Sequence, residues 1–331
     1  MTCELLLHIG YPKAASTSLQ RSVFPNLESH GFEYLGQFPD ERGVALGDNA
    51  AKRLVNNIAR HVSSQAGSET IPLCEILGDS PAQQPRILSH EGFVFLSIRR
   101  EVVGGRLLSL DPFAIAQALQ SVVSEFESKV LIVVRRQDEL LLSLYAQSYT
   151  QFFRRIDGLD TFSRFLDNLR PGAVYEHIFR ALYYDEIVLE YQRLFGRDRV
   201  AVLPYELLVH DETEFLSRLA LVVGIDEFRC PVSKDNVRRR GDGSKVSKSM
   251  NLYELGFRWL KANTPKDGLI WNTLRPMRWA FAPLKKVRAI APIGFDLSAD
   301  QRESILEQFA ESNRALSGDL DLELGRYGYF R

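Results

Sequence analysis

The sequence predicts an α/β fold with an open, mostly parallel central sheet that is flanked by helices. Residues 129–134, KVLIVV, form an unbroken apolar run, which indicates a strand buried on both faces of a parallel sheet. Residues 5–9 and 200–203 are shorter apolar runs of the strand type. A helical pattern follows each of the three runs, so we expect strands and helices to alternate at these places.

The remaining elements are predicted from periodicity and capping signals. A brief strand is expected at residues 85–89, PRILS. Ser298 with Gln301, and Asp211 with Glu214, have the spacing of capping boxes at helix starts. Taken in chain order, the predicted helices begin near Ser16 and then cover residues 49–64, 112–128, 140–149, parts of 160–196, 212–224 and 298–316.

Composition and length limit the possible classes of protein. The chain has 331 residues, of which 45% are hydrophobic and 25% are charged, as in ordinary soluble globular proteins. We predict one domain over residues 1–331, with residues 265–331 as a mostly helical C-terminal extension. The net charge of −1 gives no reason to expect a nucleic-acid partner.

Cysteine usage and hydropathy indicate the compartment. The three cysteines, Cys3, Cys74 and Cys230, are far apart and lack metal-ligand spacing, which suits a reducing environment. The first strand begins almost at the N-terminus, and no apolar stretch is long enough to span a membrane. We therefore expect a cytoplasmic protein.

Residues 8–20, HIGYPKAASTSLQ, have the character of an anion site. They connect the first strand to a helix through a turn of small residues, and the first turn of a helix offers unpaired N–H groups to phosphate. Lys13 adds a positive charge, and Ser16, Thr17 and Ser18 add hydroxyl groups. A strand–turn–helix in any α/β protein remains an alternative at this point.

The order of these residues differs from a Walker A loop, in which lysine follows the glycines and directly precedes Ser or Thr. The order Y-P-K-x-x-[ST]-[ST] resembles the 5′-phosphosulfate loop of sulfotransferases, which use 3′-phosphoadenosine 5′-phosphosulfate (PAPS) as sulfuryl donor. The stretch ASTS is also similar to that of uronyl 2-O-sulfotransferases. The resemblance implies the sulfotransferase fold, whose open sheet is P-loop-like, and a bacterial source, because Golgi members carry an N-terminal anchor.

His90 and Glu91 follow the brief strand at residues 85–89, at the sheet edge where ligands bind in open parallel sheets. In cytosolic sulfotransferases the end of a similar strand supplies the catalytic histidine. The resemblance puts Glu91 at that position, and carbohydrate sulfotransferases often use a glutamate as base. Glu91 is therefore the first candidate base and His90 the second; a structural strand-end pair is the alternative.

The segment V-x-R-x7-S, from Val133 to Ser143, resembles the part of sulfotransferases that binds the 3′-phosphate. The resemblance implies that Arg135 and Ser143 contact this phosphate, for which arginine offers a planar fork of donors. The family usually has proline where Gln137 stands. Arg136 is an alternative phosphate contact or a surface charge.

Two later segments complete the resemblance. Tyr205, which starts the phrase YELL after a buried strand, corresponds to a tyrosine near the adenine. Arg239, Arg240 and Gly241 resemble the late basic loop that covers the donor. The implied cofactor-binding residues are Ala14, Ala15, Ser16, Thr17, Ser18, Arg135, Ser143, Tyr205, Arg239, Arg240 and Gly241. The implied catalytic residues are Lys13 and Glu91 or His90.

The resemblance implies direct in-line transfer of a sulfuryl group from PAPS, without a metal. The acceptor is expected to be a hydroxyl of a carbohydrate or glycolipid. A P-loop small-molecule kinase and a non-catalytic nucleotide- or glycan-binding protein are the alternatives. Residues 271–294 mix aromatic and basic residues with prolines, so peripheral membrane contact is one interpretation and packing on the core is another.

Overall fold

The fold is seen in a computed structural model that describes most of the chain. The described residues are 5–37, 49–63, 72–77, 84–95, 99–103, 106–108, 110–149, 153–228, 231–232, 245–248 and 293–331. Arg239, Arg240 and Gly241 of the predicted basic loop lie outside the described residues. Residues 271–292 of the aromatic and basic segment lie outside them too.

The strands of the described chain form one central sheet and two separate antiparallel pairs, β4 with β5 and β8 with β9. In chain order they are β1 (Leu5–His8), β2 (Glu33–Tyr34), β3 (Arg86–Ser89), β4 (Arg99–Val103), β5 (Arg106–Leu108), β6 (Ser128–Val134), β7 (Val200–Pro204), β8 (Lys245–Lys248) and β9 (Ile293–Asp296). The central sheet has the order β2-β3-β1-β6-β7, and all of its neighbouring strands are parallel. The predicted open, mostly parallel sheet is thereby confirmed.

Burial explains why these segments are strands. The apolar residues of β6 from Val130 to Val134 have no exposed surface, as expected for a strand covered on both faces. β1 lies between β3 and β6, and His8 is in register with both Ser89 and Leu131. The loops that follow β1, β3 and β6 therefore emerge side by side at one edge of the sheet.

Helices flank this sheet. They are α1 (Ser16–Ser18), α2 (Ala50–Ser63), α3 (Leu73–Leu77), α4 (Gly92–Phe95), α5 (Pro112–Val122), α6 (Gln137–Ser148), α7 (Phe162–Asp167), α8 (Tyr184–Phe195), α9 (Tyr205–His210), α10 (Glu212–Val223), α11 (Ala299–Gln308) and α12 (Ala310–Asp319). A π-helical turn, Leu19–Val23, continues α1, and 3-10 turns cover Pro25–His30, Phe153–Arg155, Glu176–Leu182, Arg197–Arg199 and Leu324–Tyr327.

Two predicted helices differ from the observed ones. The helix predicted over 112–128 ends at Val122, because the Phe126 N–H turns back to the Val123 carbonyl and Ser128 already pairs in β6. The predicted C-terminal helix is divided at Phe309, although its capping box at Ser298 is present. The helices predicted within residues 160–196 are α7 and α8, and the chain between them includes a turn in which Gly172 adopts φ 79°.

The C-terminal helices are joined to the start of α6 by a buried pair of amides. Gln137 Nε2 donates to Asn313 Oδ1 at 2.9 Å, and Asn313 Nδ2 donates to Gln137 Oε1 at 3.1 Å. Gln137 also donates to the Leu182 carbonyl at 3.2 Å. Both side chains are fully buried. Glutamine at this position thus has a structural function that proline could not supply, since proline has no side-chain donor.

The described part of the chain contains no helix that is both long enough and apolar enough to cross a bilayer. The extent of the domain, with residues 265–331 as an extension, stays a prediction. Within that range the described residues from Ala299 to Asp319 are helical apart from Phe309.

Candidate active site

The chain keeps pairing with β6 beyond the end of β1. The Ile9 N–H donates to the Leu131 carbonyl at 2.9 Å, and the Tyr11 N–H approaches the Val133 carbonyl at 3.4 Å. The fully buried Tyr11 ring is anchored by a 2.5 Å hydrogen bond from its hydroxyl to the Ala181 carbonyl. The loop therefore leaves the sheet edge only at Pro12 and Lys13.

Two residues without glycine's freedom adopt left-handed backbone conformations in this loop. Lys13 has φ 72° and Ala15 has φ 62°. Such conformations cost about 1–3 kcal/mol each and tend to occur at functional sites. Left-handed residues that alternate with others turn successive N–H groups towards one point, which makes a concave anion site. Positive φ at Lys13 and Ala15 is a backbone feature that anion-binding loops share.

The predicted loop residues do not all face the same way. Ala14 is fully buried, and its N–H donates to the Tyr11 carbonyl at 3.1 Å, so its N–H serves the turn itself. Ser16 and Ser18 are buried at the start of the helix, whereas Lys13, Ala15 and Thr17 are partly exposed. The N–H groups from Ala15 onward are the better candidates for an anion.

Gly10 is needed because His8 and Ser16 approach its backbone closely. A β-carbon there would lie 2.7 Å from His8 Nε2 and 2.9 Å from Ser16 Oγ. His8 itself is fully buried, with Nδ1 at 2.7 Å from Ser89 Oγ, and Gln20 donates to the same hydroxyl at 3.0 Å. Burial lowers the pKa of His8 to about 3, so the imidazole is neutral. His8, Ser89 and Gln20 thus form a buried hydrogen-bonded group that packs against the loop at Gly10.

Glu91 lies beside Lys13 and Ser16. Glu91 is partly exposed. Its partial burial raises the pKa of the carboxyl, while the charge of Lys13 and a hydrogen bond from the Ser16 hydroxyl act in the opposite direction. The three side chains come from the loops after β1 and β3, which neighbour each other in the sheet. The site therefore combines a cation, a hydroxyl and a carboxylate with a raised pKa, a set suited to proton transfer next to an anion.

His90 has a structural hydrogen bond. Its Nδ1 accepts the Gly92 N–H at 2.7 Å, and its ring contacts Phe93 with centroids 5.8 Å apart. A neutral imidazole has one acceptor nitrogen, and here that nitrogen holds the start of α4. His90 is consequently less suited than Glu91 to accept a proton from a substrate.

Arg135 joins the loop after β6 to the loop after β1. Its Nη1 donates to the Lys13 carbonyl at 2.7 Å, and its Nη2 donates to Glu139 Oε2 at 2.7 Å. The guanidinium lies over the Tyr205 ring, 4.7 Å from its centroid. Its buried Nε has no hydrogen-bond partner among the described residues. The arginine expected at the 3′-phosphate thus contacts the loop expected at the 5′-phosphate.

Ser143 and Arg136 differ from Arg135 in their surroundings. Ser143 is buried within α6, with 3% of its surface exposed. Arg136 forms a bidentate ion pair with the fully buried Asp138, at 2.7 and 3.1 Å, and another with Glu139 at 3.1 Å. Arg136 is therefore neither a surface charge nor an arginine with an open fork, because these carboxylates occupy it.

Sequence reasoning missed the support on the far side of Arg135. The Glu206 carboxylate accepts the Arg136 N–H at 3.0 Å and the Tyr329 hydroxyl at 2.6 Å, and the Tyr184 hydroxyl donates to the Arg135 carbonyl at 2.5 Å. Burial raises the pKa of Glu206, although Tyr329 opposes this. The sequence shows an acid, Glu206, directly after Tyr205. Neither its burial nor its contact with Tyr329 can be read from the sequence.

Solved structures that resemble this chain include the following proteins. The sulfotransferase from Alicyclobacillus acidocaldarius aligns over 99% of both chains, with 13% identity and a TM-score of 0.51. The sulfotransferase domain from the curacin biosynthetic pathway aligns over 94% of this chain and 98% of that one, with 11% identity and a TM-score of 0.36. Retinol dehydratase in a complex with retinol and PAP aligns over 97% of this chain and 82% of that one, with 11% identity and a TM-score of 0.36.

The first of these similarities confirms the sulfotransferase fold that the sequence predicted. The other two, with TM-scores below 0.5, carry no weight in that assignment. No protein-family model matches the chain, and no curated protein matches it either.

The raised pKa of Glu91 predicts the stability of Glu91→Gln. The folded chain binds this proton more tightly than the unfolded chain, so the ionised carboxylate destabilises the fold above its pKa. The penalty is absent below the ordinary glutamate pKa of ~4.3 and grows as pH rises through the folded pKa. Urea denaturation should show that Glu91→Gln is at least as stable as the wild type at pH 7, with the difference disappearing near pH 4.

The matched control is Glu28→Gln, which changes an exposed glutamate. Its effect on the denaturation midpoint should be small at both pH values. A loss of more than about 1 kcal/mol for Glu91→Gln at pH 7 would contradict the desolvation of this carboxylate, because typical surface changes stay within about 0.5 kcal/mol.

Proposed function

We propose that the protein is a PAPS-dependent sulfotransferase, which transfers a sulfuryl group to an acceptor hydroxyl. The observation that carries the proposal is the meeting of Lys13, Glu91 and Arg135 around one strained, anion-binding loop. A phosphate site alone would need a cation such as Lys13 but no carboxylate beside it, whereas transfer to a hydroxyl needs a base, which Glu91 would supply. The sulfotransferase fold supports the same function.

The proposed reaction is a direct in-line displacement at sulfur. The acceptor oxygen forms a bond to sulfur while the bond from sulfur to the 5′-phosphate oxygen breaks, which releases 3′,5′-diphosphoadenosine. Glu91 takes the hydroxyl proton, and its raised pKa makes it a stronger acceptor than an ordinary glutamate once it is ionised. Lys13 compensates the negative charge that develops on the leaving oxygen. Positioning and electrostatics supply the catalysis, as in phosphoryl transfer.

The two ends of the donor have separate candidate contacts. N–H groups of Ala15, Ser16 and Thr17, with the hydroxyls of Ser16, Thr17 and Ser18, would hold the 5′-phosphosulfate. Arg135, with Ser143, would hold the 3′-phosphate, and Tyr205 would lie near the adenine. Arg239, Arg240 and Gly241 stay predictions as the covering loop.

The acceptor is proposed to be a hydroxyl of a carbohydrate or glycolipid. A glutamate as the base supports this choice, because the resemblance to carbohydrate sulfotransferases includes that residue. The cytoplasmic location, the bacterial source and the membrane contact of residues 271–294 stay predictions.

Nucleotide binding gives the first test. Isothermal titration calorimetry in EDTA should show that 3′,5′-diphosphoadenosine binds at least tenfold more tightly than AMP or ATP. The reason is a second phosphate contact, and each charge-assisted contact contributes about 1.5–3 kcal/mol. Equal affinities for 3′,5′-diphosphoadenosine and AMP would exclude a 3′-phosphate site, while a preference for ATP with magnesium would favour a kinase.

Turnover gives the second test and also separates the two candidate bases. With radiolabelled PAPS and a panel of carbohydrate acceptors, Lys13→Ala and Glu91→Gln should each lower kcat by about 10²–10⁴-fold, as expected for lost charge compensation or base catalysis. Lys52→Ala and Glu28→Gln are the matched controls on exposed positions.

His90→Asn, compared with Glu91→Gln, distinguishes between the two candidate bases. Asparagine can still accept the Gly92 N–H but has no basic nitrogen, so this variant should keep most of the activity. A loss in His90→Asn as large as that expected for Glu91→Gln, together with an active Glu91→Gln, would assign the base to His90 instead.

A further inference from the structure

The Lys13 carbonyl and the Ala14 N–H belong to the same peptide unit, and both of its polar ends are held. Arg135 Nη1 donates to the carbonyl at 2.7 Å, while the N–H donates to the Tyr11 carbonyl at 3.1 Å. A peptide unit is planar, so holding both ends fixes its orientation. This orientation sets where the following N–H groups, from Ala15 onward, point.

The peptide lies where the backbone is strained. Lys13 before it and Ala15 after it both have positive φ, at 72° and 62°. Non-glycine residues leave such conformations unless surrounding contacts hold them. Tyr11 is fixed by its pairing with β6, so it holds the near side of the turn. Arg135 is the side-chain contact that holds the Lys13 carbonyl.

Three contacts hold Arg135 in the position from which it reaches the Lys13 carbonyl. Glu139 accepts from its Nη2 at 2.7 Å, its guanidinium lies over the Tyr205 ring, and its own carbonyl accepts from the Tyr184 hydroxyl. The two Nη hydrogen bonds use two of the five N–H groups of a guanidinium, so a phosphate contact is compatible with them. One side chain can therefore hold the loop and still contact an anion.

We infer that Arg135 is a positioning residue for the anion-binding loop, in addition to its proposed contact with the 3′-phosphate. The inference rests on the proposed function only for the identity of the ligand, because the contact with Lys13 exists without one. It makes the two phosphate subsites interdependent. Removal of Arg135 should weaken binding even of a nucleotide that has only a 5′-phosphate.

The test is binding of AMP and 3′,5′-diphosphoadenosine to the wild type, Arg135→Ala, Arg135→Lys and Ser143→Ala, measured by calorimetry. Arg135→Ala should weaken the binding of AMP at least tenfold, and it should also weaken the binding of 3′,5′-diphosphoadenosine. Ser143→Ala changes the other proposed 3′-phosphate contact, so it should weaken the binding of 3′,5′-diphosphoadenosine but not that of AMP. Arg135→Lys keeps a donor and a charge, so it should recover part of the AMP affinity.

Amide hydrogen exchange of the ligand-free chain supplies a readout independent of nucleotide. The Ala14 N–H should exchange at least tenfold faster in Arg135→Ala than in the wild type, and its exchange rate in Arg135→Lys should be intermediate. The exchange rates of the β6 amides should be unchanged, which is the control for folding. If Arg135→Ala does not fold, Arg135→Lys provides the same two comparisons.

Unchanged AMP affinity together with unchanged Ala14 exchange in the Arg135 variants would overturn the inference and leave the proposed function intact. The proposed function fails by a different result, namely a wild type that binds AMP and 3′,5′-diphosphoadenosine equally. In that case the Ala14 exchange rate still decides whether Arg135 positions the loop.

Discussion

The left-handed turn from Lys13 to Ala15 is the constraint on which the site depends. It is strained, so contacts on both sides have to hold it, and those contacts come from Tyr11 and Arg135. The turn brings the Lys13 charge and the Ser16 hydroxyl to Glu91. A relaxed loop would leave the carboxylate desolvated without compensation and would disperse the N–H groups that an anion needs.

The parallel sheet makes this arrangement possible. β1 lies between β3 and β6, so Glu91 reaches the loop from one side and Arg135 from the other. Glu139 balances the charge of Arg135: partial burial would raise the pKa of Glu139, but Arg135 and Arg136 hold it below its usual value. The contacts that hold Arg135 are thus in place before any ligand arrives, which lowers the reorganisation that binding and catalysis require.

Local sequence was sufficient for β1, β3, β6 and β7, because an apolar run such as KVLIVV is read along the chain, whereas the short strands β2, β4, β5, β8 and β9 were not predicted. The role of Lys13 and the hydroxyls in binding an anion stays a prediction. Long-range polar contacts were not accessible in that way. Gln137 looked like a departure from a pattern until its amide was seen to pair with Asn313. The helix predicted over 112–128 was too long because periodicity does not mark where tertiary pairing begins.

The central claim is that the loop after β1 and Arg135 form a single donor site. A crystal structure of the protein with 3′,5′-diphosphoadenosine tests it most directly. The account predicts the 5′-phosphate within hydrogen-bonding distance of the Ser16 and Thr17 N–H groups and the 3′-phosphate on Arg135, with the hydrogen bond from Arg135 to the Lys13 carbonyl intact. A nucleotide that binds away from this loop, or whose 3′-phosphate makes no contact with Arg135, would contradict it.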